Sequence, residues 1–138
     1  MIRIMILAIA ALTLAACGGQ QAKLQGLCTG LLEGDPEAVQ ELASNAGTVS
    51  EFCECYAGNA SSAGDETLFT HTAVWSALAD IQSASGTRSV EEMAEAVEDQ
   101  LRSGTSELTF TEDQFENVGE FLEEIDDGFS ETGACVTQ

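Results

Sequence analysis

Apolar residues recur along this chain at helical spacing almost from end to end. Leu24, Leu27, Cys28, Leu31 and Leu32 fall at i, i+3, i+4, i+7 and i+8, one face of a first helix that Gly34 ends. Asp35-Pro36-Glu37 restarts a short helix, with Asp35 as cap and Pro36 at the first helical position, where its missing N–H costs nothing. Thr48 and Glu51 have capping-box spacing, and Val49, Phe52, Cys53 and Tyr56 form the next apolar face. The small residues 58–64 read as a loop. Asp65 opens a fourth helix with Leu68, Thr72, Trp75, Leu78 and Ala79 on one side and Phe69, Val74 and Ile81 on its flanks. Ser85-Gly86-Thr87 breaks it. Ser89 and Glu92 then repeat the capping-box pattern before Val90, Met93, Ala94, Val97 and Leu101. After Gly104 a brief extended stretch, Leu108-Thr109-Phe110, leads to a last helix capped by Thr111 and Gln114, with Phe110 and Phe115 at the two positions of a hydrophobic staple. Its stripe is Phe115, Val118, Leu122 and Ile125, and Gly128 reads as its stop. No segment alternates as a strand would. The pattern predicts an all-α fold, a small bundle of five to six helices in one domain.

The amino terminus has a different pattern. Residues 4–14 are apolar apart from Thr13, Arg3 carries the one positive charge before them, and Leu14-Ala15-Ala16-Cys17 closes the run. The run is shorter than the ~20 apolar residues that cross a bilayer, and its charged start and small-residue finish describe an export signal rather than a buried helix. These four residues resemble the lipobox of bacterial lipoprotein precursors. The resemblance covers only the leader and Cys17, and it implies three regions. Residues 1–16 would be a cleaved signal peptide, 17–22 a lipidated cysteine with a short tether, and 23–138 the helical domain. In that class Cys17 receives diacylglycerol on sulfur and a fatty-acyl (palmitate-type) chain on its new amino group, which makes anchoring stable. Gly18 stands where an aspartate retains many such proteins at the inner membrane, so the resemblance implies the outer membrane, facing the periplasm. Five tether residues reach about 17 Å when extended, which holds the domain close to the lipid.

Charge narrows the partners. The chain has 24 acidic residues against 4 basic ones, for a net charge of −20, and loss of Arg3 with the leader deepens this by one. Such a surface repels phosphate backbones and anionic headgroups, so no nucleic acid is expected. A basic envelope protein or divalent cations would be attracted, while an acidic surface also serves solubility alone.

With Cys17 assigned to lipid, Cys28, Cys53, Cys55 and Cys135 remain, an even set that reads as disulfides in an exported chain. Residues two apart on a helix point about 200° apart, so Cys53 and Cys55 serve different neighbours. Cys28 and Cys53 lie on apolar faces and are paired; Cys55 and Cys135 follow by elimination. A redox role is disfavoured because Glu51 and Glu54 raise the thiol pKa, and zinc is disfavoured by the single histidine.

Catalytic motifs are not visible. His71 stands between two threonines and reads as a surface or partly buried histidine rather than a general base. Ser61-Ser62, Ser103 and Ser106 carry no nucleophile elbow, no cofactor loop is present, and Asp126-Asp127-Gly128 lacks the ligand pattern of a calcium loop. One constellation stands out. Glu112, Glu116, Glu120 and Glu124 recur every four residues and form a ridge, each like-charge step costing ~0.2–0.5 kcal/mol unless salt, cations or a basic partner relieve it. The only favourable local pair expected is Glu98 with Arg102. The sequence therefore favours a non-enzymatic acidic interaction module in the envelope. A structural or cation-binding lipoprotein comes next, and an enzyme last.

Overall fold

Six helices account for the regular structure of a computed structural model that describes residues 15–45, 47–104 and 107–137. They are α1 (Ala15–Gly34), α2 (Pro36–Ser44), α3 (Val49–Ala63), α4 (Asp65–Ser85), α5 (Val90–Ser103) and α6 (Glu112–Thr132), with no strand among the described residues. The leader through Leu14, the side chain of Cys17 and Ser106 lie outside the described residues.

Helix α1 buries Leu24, Cys28, Leu31 and Leu32 and packs most extensively on α3 and α4. Cys28 is bonded to Cys53 with Cα atoms 5.7 Å apart, and Gly58 lies against Gln21, so α3 runs antiparallel to α1. Helix α4 turns back after Gly64, whose φ of 127° suits glycine alone. Its first turns therefore lie at the end of the bundle where α1 begins. Leu68, Thr72, Trp75 and Leu78 are buried as their spacing predicts, whereas Phe69 is 61% exposed. Helix α5 packs on α4 and buries Met93 and Val97, while α6 lies across α3 and α4 and buries Val118, Ile125 and Phe129.

The caps follow the sequence closely. Asp35 caps α2, and both capping-box bonds form at Thr48–Glu51 and at Thr111–Gln114. Phe110 and Phe115 stack at 6.2 Å, completing the staple. At α5 only half of the box forms. Ser89 accepts from the Glu92 N–H, but the Glu92 carboxylate is engaged by the Thr87 hydroxyl instead of the cap backbone.

Three boundaries differ from the sequence expectation. Residues 18–22, expected as an extended tether, are part of α1, so they span about 7.5 Å at 1.5 Å per residue. Residues 58–64, expected as a loop, continue α3 to Ala63, because Ala57 and Ala60 are fully buried. A one-residue propensity cost of ~1 kcal/mol at Gly58 is smaller than the packing gained there. Gly128 does not stop α6, which runs on to Gly133 in the left-handed conformation. Its missing side chain makes room for Val136, whose Cγ2 would lie 3.3 Å from a Cβ there. The chain after Gly133 folds back onto α3, where Cys135 joins Cys55 and Asn59 donates to the Val136 carbonyl. Both cysteine pairings are those read from helical geometry.

Candidate functional site

The interface of α3 and α4 contains a buried polar chain. His71 and Trp75 are four residues apart on α4, so both face Tyr56 of α3. Trp75 Nε1–H donates to Tyr56 Oη at 3.0 Å, and Tyr56 Oη lies 2.6 Å from His71 Nδ1. All three residues are at most 4% exposed. His71 is thus buried, where the sequence left a surface or a partly buried position open.

The network determines where the protons sit. Indole N–H can only donate, so Tyr56 Oη accepts from Trp75; among the described residues the one acceptor in reach of the buried Tyr56 hydroxyl hydrogen is His71 Nδ1, and the tautomer that satisfies it directs that hydrogen there. Nδ1 is then the acceptor, and the neutral ring carries its proton on Nε2. Burial lowers the His71 pKa to about 4 and raises that of Tyr56 well above its usual value, the Trp75 bond opposing the rise. Both groups are neutral at pH 7. Phe121 of α6 closes over them, edge-on to His71 at 4.8 Å and to Tyr56 at 5.8 Å.

Beyond the ring lies an open cleft of about 380 Å³ between α4 and α6. Its walls are Glu66, Thr67, Thr70 and His71 on one side and Gln114, Asn117, Val118, Glu120, Phe121 and Glu124 on the other. Among the described residues no side-chain nitrogen or oxygen shut off from solvent lacks a partner, so Nε2, for which they supply none, keeps access to solvent, and the ring lines this cleft. A ring held this way offers a hydrogen-bond donor. It does not offer the free Nε2 lone pair that a general base or a metal ligand needs.

The acidic ridge is divided by the fold. Glu112 receives Arg102, which also binds Glu98, at 3.6 and 2.9 Å. The ridge therefore has local relief that spacing alone did not reveal, since Arg102 reaches it across the α5–α6 turn. Glu116 is exposed, and Glu120 and Glu124 enter the wall of the His71 cleft. Among the described residues no three His, Cys, Asp or Glu side chains are placed to hold a metal ion. Burial, and Asp127 beside it, raise the Asp126 pKa.

Sequence reasoning missed Tyr56, Trp75, Phe121 and Glu66 as members of one site. A signal for His71 was present: it stands three residues after Leu68 and four before Trp75, on the buried stripe. Nothing local marks its partner on α3. No family model, curated protein or solved structure matches the chain.

Proposed function

We propose that this chain is a bacterial lipoprotein, held in the cell envelope through acylated Cys17, whose helical domain is a non-enzymatic acidic docking module. The observation that carries the reading is Leu14-Ala15-Ala16-Cys17 placed directly after a short apolar run. Three features support it. The four cysteines other than Cys17 are all paired, as suits an oxidising compartment. Among the described residues no helix is long and apolar enough to cross a membrane, so attachment there would rest on the acyl chains. Helix α1 reaches back to Ala15, which would set the domain against the lipid with little free chain between them.

The docking part of the reading rests on charge. Twenty-four acids face four basic residues. Of the latter, Arg102 is used on Glu98 and Glu112, and Arg88 donates to the Gly34 carbonyl at the end of α1. A basic protein of the envelope, facing the periplasm, is the partner this surface suits. The orientation of His71 as a donor favours binding over acid–base chemistry.

Detergent phase partition of protein expressed in a bacterial host tests the anchor. The wild type enters the detergent phase, and Cys17→Ser moves to the aqueous phase or remains as uncleaved precursor. Equal partition of the two mature proteins into water refutes the lipoprotein reading.

A further inference from the structure

The cleft between α4 and α6 has a composition that specifies more than negative charge. Glu66 and Glu120 stand in its walls, and among the described residues no lysine or arginine lines it. His71, 4% exposed, adds one donor, Nε2–H, whose direction is fixed by the hydrogen bonds behind it. Phe121 and Val118 supply an apolar wall. A ligand that satisfies all three needs a cationic group, an aliphatic stem and a carbonyl-type acceptor a short distance from the cation. Metal ions lack the acceptor and the stem. Free polyamines have the cation and the stem but no carbonyl for Nε2–H. An arginine or lysine residue within a polypeptide has each, with its own or a neighbouring backbone carbonyl as acceptor. The cleft volume, about 380 Å³, falls in the range of small-ligand sites.

We propose that this cleft receives a basic side chain of a polypeptide partner, its cationic head between Glu66 and Glu120 and a backbone carbonyl accepting from His71 Nε2–H. The inference deepens the docking reading and depends on it for the partner's presence in the envelope. It does not depend on how the domain is anchored. The salt bridges give attraction, which salt weakens. The histidine gives register, because its donor is aimed before the ligand arrives and loses little entropy on binding.

The chain has one histidine and one tryptophan, both in this network, so either reports on the cleft without assignment. The test titrates the full mature protein in detergent micelles with Nα-acetyl-arginine methylamide, following the ¹⁵N signals of His71. Nα-acetyl-citrulline methylamide and spermidine serve as comparisons. The proposal requires a saturable shift at Nε2 with the arginine compound and about ten-fold weaker binding of both others. Glu66→Gln and Glu120→Gln, at exposed positions, each weaken arginine binding by about ten-fold. No shift at Nε2, or spermidine binding as tightly as the arginine compound, overturns the proposal. A protein that enters the detergent phase yet shows no shift retains its anchor and loses this inference; one that shows the shift but stays in water does the reverse.

Discussion

Tyr56 and His71 share a 2.6 Å hydrogen bond across the α3–α4 interface, which orients the single histidine while burial keeps it neutral. The consequence for acid stability has a definite sign. In the unfolded chain imidazole titrates near 6.5, and in the folded protein near 4, because burial disfavours the charged ring. As pH falls the unfolded chain takes up this proton first. The stability contributed by a neutral His71 is therefore complete above about pH 6.5, declines between there and about pH 4, and is constant below. A ¹H–¹⁵N titration of the imidazole should give a midpoint near 4; an ordinary midpoint near 6.5 would show that the ring is not desolvated as described.

Removing the disulfides should separate two kinds of damage. Loop-closure entropy for a 25-residue separation is worth about 3.5 kcal/mol, and for the 80-residue closure of Cys55–Cys135 about 4.5 kcal/mol. Cys28→Ala with Cys53→Ala opens the centre of the bundle and should lower stability throughout. Cys55→Ala with Cys135→Ala frees the segment after Gly133, so hydrogen exchange should rise first there and at the end of α6. Uniform exchange in both double variants would contradict this division.

Asp35 caps two helices. Its Oδ1 accepts from the Glu37 and Ala38 N–H groups at the start of α2, and its Oδ2 accepts from Val90 N–H, the first residue of α5, at 2.9 Å. The residue is buried. Asp35→Ala leaves donors of two helices without their partner and should cost about 2–3 kcal/mol, well above the ~1 kcal/mol of an ordinary cap. Asp35→Asn keeps one acceptor oxygen and should cost roughly half as much. Chemical denaturation of the two variants checks the order; an alanine cost at or below that of a single cap would deny the second role.

Glycines inside α6 should respond in opposite ways. Gly119 has nothing near the place a Cβ would occupy, so Gly119→Ala should stabilise by about 0.5–1 kcal/mol. At Gly128 the same change presses on Val136, and the propensity gain is offset by displacement of the returning chain. Thermal melts of the two variants should differ in midpoint, with Gly119→Ala the higher.

The helices and most caps were legible because they depend on local chemistry. Thr48 with Glu51, Thr111 with Gln114 and the Phe110–Phe115 staple need only residues within one or two turns of each other. What misled was glycine. Gly58 and Gly128 have the residue type of a helix stop, but Gly58 lies inside a helix packed beside Gln21 and Gly128 is where Val136 comes close. The first contact is remote in sequence, and the second forms only because the chain turns back after Gly133. Glu92 failed as a cap partner because the neighbouring Thr87 hydroxyl competes for its carboxylate. The cysteine pairing succeeded because helical geometry alone separates Cys53 from Cys55. The cleft was legible only in part. Glu120 and Glu124 were visible as a ridge and His71 as an isolated residue, and only the packing of α6 on α4 brings them together.

If export and acylation place this oxidised, acidic bundle at a membrane as proposed, intact mass of the protein extracted from membranes, with and without reductant, will show it. The account predicts a polypeptide starting at Cys17, bearing diacylglyceryl and N-acyl groups, that gains about 4 Da on reduction of its two bridges. A chain starting elsewhere, or one without acyl mass, would contradict it.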